Sequence, residues 1–256
     1  RKRRVAPKTT IVGPEVGEAV KNDRPESRDL PASDAGLSRR IKPMLEATFR
    51  SLRIPNFRRF FFGQLVSQTG TWMQTVGVVW LTLDLTDSGV ALGAVMATQF
   101  LPVLLLGAFG GVVSDRVNPQ RAVIVTQVLF TGIAIIFTLM TFTGSESMAA
   151  VYGLSAAFGL VNAFDNPLRR VFIRELVGAD DIANGVGLNS MVMTGSRIVG
   201  PAIAGALISI ADVSWCFLVN AATYPAVIVA LCRIDRRQLL ARPSIKRAKG
   251  QLREGL

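Results

Sequence analysis

Six long runs without charged residues constrain this chain more than any other feature of its sequence. They cover residues 60–83, 88–114, 122–145, 147–164, 182–211 and 213–232, and they contain 24, 27, 24, 18, 30 and 20 residues. Only Arg197 interrupts them, in the fifth run. An α-helix needs about 20 apolar residues to cross a bilayer. The runs therefore predict six transmembrane helices and an all-α polytopic membrane protein.

The composition agrees with this segregation of charge. The mean hydropathy is +0.38, although the chain has 29 Lys and Arg and 18 Asp and Glu residues. A soluble domain interleaves charged and apolar residues, because its helices and strands keep one face in water. The chain has no histidine, which excludes Ser-His-Asp hydrolysis, Cys-His hydrolysis and histidine-ligated metal sites. We expect no catalytic residues, metal or cofactor.

The distribution of basic residues predicts the orientation. Fifteen of the 29 precede the first run, and eight follow Ala230. Those in the second and fourth links are Arg116, Arg121, Arg169, Arg170 and Arg174, whereas links one, three and five have none. Because basic loops stay on the cytoplasmic side, we expect both termini and links two and four in the cytoplasm. This bias also explains the net charge of +11, so we expect no nucleic-acid partner.

The flanking segments differ from the apolar core. Residues 1–40 are rich in charged residues, Pro and Ser, which predicts a disordered basic cytoplasmic tail. Residues 41–55 carry apolar side chains at helical spacing and predict either an amphipathic helix on the cytoplasmic membrane surface or a solvated linker helix. The six-span bundle is predicted over 56–235, and 236–256 begins a cytoplasmic central loop. The spans are predicted at about 59–83, 89–113, 121–143, 147–168, 183–210 and 213–233.

Polar side chains form a stripe along the first predicted span. Its members lie within about 100° of helix surface and are Gln64, Ser67, Gln68, Thr71, Thr75 and Thr82. Ser155 and Asn162 form a second stripe on the fourth span, with Asp165 beside it near the cytoplasmic end. Polar groups facing hydrocarbon are costly. The stripes therefore predict a water-filled substrate cavity or, alternatively, hydrogen bonds between helices.

Arg197 is the only charged residue deep within a predicted span, about 15 residues from Asp181. Insertion scales assign Arg a cost of about 2.5 to 3.5 kcal/mol at this depth. We therefore expect its side chain to face the bundle interior, on one helix face with Ser190 and Thr194. It either lines the cavity and contacts anionic substrate groups or is held by neighbouring helices as a packing residue.

Two motifs resemble those of a known family. One lies in the predicted cytoplasmic second link, and the other lies within the fifth predicted span. Gly111, Asp115, Arg116 and Arg121, in "GGVVSDRVNPQR", are similar to the cytoplasmic signature of the major facilitator superfamily. The fifth span resembles the signature of its exporters, which has glycine where this chain has Ser196 and Ala204; the matching residues are Gly187, Ser196, Gly200, Pro201 and Gly205. The phrases "GQLVSQTGTWMQ", "DNPLRR" and "ANGVGLNS" resemble the exporter branch called transmembrane secretion effectors.

This resemblance implies a fold and a function. The chain would be the N-terminal half of a twelve-span transporter, built from two inverted three-helix repeats, with substrate bound between this half and a second one that the chain does not contain. Spans one and four would line the cavity, and the glycines of spans two and five would pack against the second half. Gly111, Asp115, Arg116 and Arg121, together with Asp165, would form a conformational latch.

The resemblance also implies proton-coupled export of small amphipathic molecules, such as drugs or siderophores, across a bacterial inner membrane. The alternative is a non-transporting six-span scaffold or assembly subunit.

Overall fold

The computed structural model describes residues 48–235 and, beyond them, residues 237 and 239. These residues form no strand and six long helices, which confirms the all-α fold. The helices are α1 (Pro55–Thr86), α2 (Gly89–Ser114), α3 (Pro119–Phe142), α4 (Met148–Val177), α5 (Ile182–Ile210) and α6 (Ser214–Cys232). The predicted tail over 1–40, the first half of the predicted surface helix over 41–55 and nearly all of the predicted central loop lie outside the described residues.

Five of these helices, α2 to α6, are long and apolar enough to cross a membrane. The helix α1 is the longest, with 32 residues, but its polar stripe makes it less apolar than the others. Capping side chains define where several helices begin. Ser88 accepts a hydrogen bond from the Ala91 amide, and Asn118 accepts one from the Arg121 amide at 3.0 Å. Such caps satisfy amide groups that the first turn of a helix leaves unpaired.

The contacts between helices repeat in the two halves of the bundle. The helix α1 packs against α5 and α6, and α4 packs correspondingly against α2 and α3. The helices α3 and α6 also pack against each other. Each main contact of one half thus has a counterpart in the other half. The α1–α5 contact corresponds to the α4–α2 contact, and the α1–α6 contact corresponds to the α4–α3 contact. The links between consecutive helices have only two to five residues and make neighbouring helices antiparallel, so α1 and α4 run in opposite directions, which fits the two inverted repeats that the sequence resemblance implies.

Glycines allow close approach of the helices at the α2–α4 and α1–α5 contacts. A Cβ atom added to Gly159 on α4 would lie 2.1 Å from the carbonyl oxygen of Gln99 on α2, and one added to Gly110 would lie 2.3 Å from that of Ala163. On α5, a Cβ atom at Gly200 would lie 2.5 Å from the Trp72 Cβ of α1. The α2–α4 and α1–α5 contacts thus depend on the absence of these side chains.

Most of the other glycines of α2 and α5 do not lie at these contacts. Within the described residues, nothing lies within 4 Å of a Cβ atom added to Gly107, Gly111, Gly187, Gly195 or Gly205. Ser196 and Gly200 are buried against α1, whereas Pro201 is only half-buried beside them. Ser196 and Gly200 thus pack against α1 within this unit, and packing of the motif against a second half stays a prediction. Gly187 and Gly205 lie on the outward side of α5.

Gly159→Ala is expected to destabilise the protein by about 1 to 3 kcal/mol, because the new methyl group would overlap a backbone carbonyl oxygen that cannot rotate away. The matched control is Gly153→Ala on the same helix. Gly153 is exposed, and nothing lies within 4 Å of an added Cβ atom, so this change should be neutral or stabilise the helix by up to about 1 kcal/mol. Thermal unfolding of both variants in detergent measures the difference. Equal melting temperatures would contradict the proposed close contact.

The segment before α1 is fixed to the beginning of α5. The Arg50 side chain forms an ion pair with Asp181, and the Ser51 amide donates to Asn184 Oδ1 at 3.0 Å. Asn184 Nδ2 in turn donates to the Thr48 carbonyl at 2.8 Å. Residues 48–53, which the sequence assigned to the end of a surface helix, therefore dock on the bundle, and Arg50–Arg53 form a 3-10 turn.

Candidate functional site

The polar stripe of α1 faces the interior of the bundle, but its groups differ in what they contact. Gln64 and Ser67 are buried, whereas Gln68, Thr71 and Thr75 are half-buried. Threonine hydroxyls of the stripe donate to carbonyls four residues earlier on the same helix, at 3.0 Å for Thr71 and Thr75. Threonines on this stripe can therefore satisfy their own donors. Their alignment alone does not require a cavity.

Two other stripe atoms have no such partner. Gln64 Oε1 and Ser67 Oγ are buried and form no hydrogen bond among the described residues. Ser155 Oγ on α4 is in the same situation. Buried polar atoms are usually hydrogen-bonded, and water can serve as the partner. A water molecule or a polar ligand next to these three atoms would provide their missing hydrogen bonds.

The stripes of α1 and α4 meet at a small internal cavity. Thr75 and Ser155 line it together with Gln74, Gln99 and three apolar side chains. Thr75 and Ser155 are two of the residues that the sequence predicted for a substrate cavity, and both line this small cavity; their contact with substrate stays a prediction. Asn162 is half-buried one to two turns further along α4 and is not among the lining residues.

A hydrogen-bond network that the stripe analysis missed joins α1 to α6. Asn220 Nδ2 donates to Gln74 Oε1 at 2.8 Å, and the Thr71 and Tyr224 hydroxyls lie 3.2 Å apart. Asn220 and Tyr224 are fully buried. Gln74 lies outside the predicted stripe, and the polar residues of α6 are isolated from one another. No helical pattern in the sequence therefore predicted that these residues form a network. The signal available was the rarity of Asn and Gln within apolar spans.

Asp165 is the only buried carboxylate among the described residues, with 2% of its surface exposed. Its Oδ1 atom accepts hydrogen bonds from Thr126 Oγ1 at 2.5 Å and Gln127 Nε2 at 3.1 Å, both on α3. Its Oδ2 atom forms an ion pair with Arg169 one turn along α4. Arg169 Nη1 and Gln127 Oε1 are buried without a partner among the described residues.

These contacts correct the predicted latch. We expected Asp165 to join Asp115 and Arg121 of the second link, but its partners are α3 and Arg169 instead. Arg169 lies four residues after Asp165 on the same face of α4, so its guanidinium reaches the Asp165 carboxylate directly. No residue of the second link is needed for this ion pair. Asp115, Arg116 and Arg121 are exposed at the cytoplasmic end predicted from the sequence. The structure thus separates a buried charge pair from an exposed charged link.

Arg197 lies on the outside of the six-helix unit, which corrects the expectation that it faces the interior. Its guanidinium stacks over the Trp72 ring of α1, 5.0 Å from the ring centroid. Ser190 and Thr194, on the same face, are exposed as well. The rotation of α5 about its axis explains this position. Ser196 and Gly200 lie on the side of α5 that contacts α1, so the side chain of Arg197 points away from the bundle. Arg197 is near the middle of the 29-residue helix.

The exposed face around Arg197 belongs to one of the two least buried helices. In α2 and α5, a smaller share of the membrane-spanning segment is buried than in α3, α4 or α6. Large apolar side chains such as Leu104 and Ile198 are exposed on them. These outward surfaces contact lipid or another protein segment.

The family comparison decides the identity of this fold. Residues 46–256 match the model of the transmembrane secretion effector family. The chain belongs to that family, within the major facilitator superfamily of transporters. This confirms the resemblance drawn from the sequence motifs, and it assigns the chain to a family of multi-pass membrane transporters.

Two relatives of this chain have names that describe transport or efflux. The staphyloferrin A transporter of Staphylococcus aureus is 26% identical over 174 residues, which cover 68% of this chain and 44% of the relative. The macrolide efflux protein A of Streptococcus pyogenes is 21% identical over 182 residues, covering 70% of the chain and 45% of the relative. The chain thus spans a little under half the length of these relatives.

Proposed function

We propose that this chain is the N-terminal half of a proton-coupled exporter of small amphipathic molecules in the plasma membrane. The observation that carries the proposal is Arg197, a charged residue in the middle of a membrane-spanning helix whose side chain is exposed on this unit. Lipid contact there would cost about 2.5 to 3.5 kcal/mol. A second six-helix half would replace lipid with a polar, solvated cavity and remove this cost.

The surface around Arg197 supports such a partner. Gly187, Ser190 and Thr194 share the outward side of α5, where small and hydroxyl side chains permit close approach and hydrogen bonding. Gly107 and Gly111 give α2 a similar open surface. Under this proposal α2 and α5 contact the second half, and substrate binds between the halves.

The proposed substrates follow from charge and from the relatives. The Arg197 guanidinium favours molecules with carboxylate or other anionic oxygen groups, because it can form bidentate charge-assisted hydrogen bonds. The neighbouring Trp72 ring adds an apolar contact surface. Relatives named for staphyloferrin A transport and macrolide efflux support siderophores or drugs as the substrate class.

Asp165 is the proposed proton-binding group. The single proton of the Thr126 hydroxyl can go either to Asp165 Oδ1 or to the Val123 carbonyl, at 2.5 and 2.8 Å. When Asp165 is ionised, Thr126 donates to it and Arg169 neutralises it. When Asp165 takes up a proton, its carboxyl O–H can donate to Thr126, which then donates to Val123. Asp165 Oδ1 and the Thr126 hydroxyl are hydrogen-bonded in both states, but only the protonated state releases Arg169 from its ion pair.

The direct test uses everted membrane vesicles from cells that express the gene product. Macrolides and carboxylate siderophores are added to energised vesicles, and movement of protons is followed by a pH-sensitive dye. The proposal expects substrate uptake that stops when the pH gradient is dissipated. A six-span scaffold without transport activity would show neither substrate uptake nor proton movement.

The proposed orientation is tested by cysteine labelling in a chain from which Cys216 and Cys232 are removed. Ser145 and Ala211, exposed in the third and fifth links, are replaced singly by cysteine and should react with an impermeant thiol reagent from outside the cell. Ala179→Cys in the fourth link is the matched control and should react only after the membrane is opened. Labelling of Ala179→Cys in intact cells would invert the topology.

Ser214 is less suitable as a labelling position. Its side chain is buried, and its hydroxyl donates to Asp212 in the fifth link. Hydrogen bonds from the Ser214 side chain and backbone hold the pKa of Asp212 below its usual value. A cysteine there would remove a contact at the beginning of α6 as well as reporting accessibility.

A further inference from the structure

An apolar groove runs along the outside of α3 and α4. The consecutive helices α2 and α3 scarcely contact each other, and an open groove of about 560 Å³ lies beside them. One side is a stripe of α3, and the floor is a stripe of α4; the apolar lining includes Ala122, Val125, Leu129, Leu160, Phe164 and Leu168. From residue 121 to 129 the groove follows α3 for about 12 Å.

One end of this groove is basic. Arg121, in the first turn of α3, lines the groove, and its guanidinium has no hydrogen-bond or ion-pair partner among the described residues. Arg116 is exposed in the adjoining link. The second link is one of those that the distribution of basic residues places at the cytoplasmic surface. The groove thus joins an apolar surface on two membrane-spanning helices to an arginine that the predicted orientation puts near the lipid headgroups.

We propose that this groove, defined by residues 113–129 of α2, the second link and α3 and residues 160–168 of α4, binds one anionic phospholipid. An acyl chain lies against Val125, Leu129 and Leu160, and the headgroup phosphate accepts hydrogen bonds from Arg121. Arg forms bidentate hydrogen bonds with phosphate oxygens, and basic residues at the cytoplasmic leaflet attract anionic lipid. The inference does not depend on the substrate or on coupling to protons.

The charge at the end of the groove favours a phospholipid over a helix. A helix of a second half would need a carboxylate at the right position to neutralise the Arg121 guanidinium. An acyl chain with a phosphate at its end supplies both the apolar volume and the negative charge.

Native mass spectrometry of the purified full chain, delipidated and titrated with phosphatidylglycerol, tests the site. The wild-type chain should bind one phosphatidylglycerol more tightly than the rest of its lipid. Arg121→Gln should weaken that binding about tenfold, the loss expected for one charge-assisted hydrogen bond. Leu129→Trp fills the groove and should weaken it by a similar factor or more.

Matched controls lie just outside the groove. Arg174→Gln removes an exposed arginine at the end of α4, and Val128→Trp adds the same ring on an exposed face of α3. Both should bind phosphatidylglycerol as the wild type does. Inorganic phosphate should not compete at millimolar concentration, because it lacks the acyl chain.

Four outcomes would overturn the proposal. Unchanged binding in Arg121→Gln would remove the headgroup contact, and unchanged binding in Leu129→Trp would remove the acyl-chain contact. Competition by inorganic phosphate alone would make Arg121 an anion site without lipid. Loss of association with a second six-helix half in Leu129→Trp, with lipid binding intact, would assign the groove to that half.

Discussion

Arg197→Ala is expected to abolish transport while the protein remains inserted in the membrane and folded. The guanidinium is exposed on this unit, and its described contact is the cation–π interaction with Trp72, which contributes about 0.5 to 2 kcal/mol. Its removal should therefore lower stability by no more than this amount. Transport should fall to background because the positive charge at the middle of α5 is lost. Thermal unfolding in detergent and substrate uptake by everted vesicles measure the two effects separately.

Two further variants distinguish a functional Arg197 from a packing residue. Arg197→Lys keeps the charge but loses the planar, bidentate guanidinium, so transport should recover only in part. Arg170→Ala removes an exposed arginine at the predicted cytoplasmic end of α4 and should leave transport nearly normal. Normal transport by Arg197→Ala would show that the residue only packs on Trp72, and the proposed function would lose the observation that carries it.

Asp165→Asn is expected to lower stability by about 3 kcal/mol and to uncouple transport from protons. Removing one partner of a buried ion pair leaves the other charge without compensation, and Arg169 is buried beside Asp165 with Nη1 already unpartnered. The amide side chain that replaces the Asp165 carboxyl group in this variant cannot take up and release a proton as a carboxyl group can. Any transport that remains should be independent of the pH gradient across everted vesicles.

The double variant Asp165→Asn with Arg169→Gln separates the two effects. It leaves no unpaired charge, so stability should return to within about 1 kcal/mol of the wild type while proton coupling stays absent. Asp84→Asn, at an exposed carboxylate near the end of α1, is the matched control and should change neither property. Proton-coupled transport by the double variant would exclude Asp165 as the proton-binding group.

The close contacts illustrate the limit of motif reasoning within this fold. The sequence predicted that the glycines of α2 and α5 pack against a second half, but Gly110 on α2 and Gly159 on α4 make the tightest α2–α4 contact within this unit. Gly111, one residue away, faces outward. One residue corresponds to 100° of helix rotation, so a spacing of small residues marks a helix face without stating which neighbour it meets.

The sequence by itself determined the all-α fold, the number of long helices and the family, because charge-free length and local motifs are properties of contiguous residues. The partners of the polar groups were decided only by the tertiary structure. Asp165 meets Thr126 and Gln127, from a different helix nearly forty residues away, and Arg197 lies outside the unit because Ser196 and Gly200 take the inner side of α5. Helical periodicity fixes which residues share a face, but the packing of several helices at once decides what that face contacts.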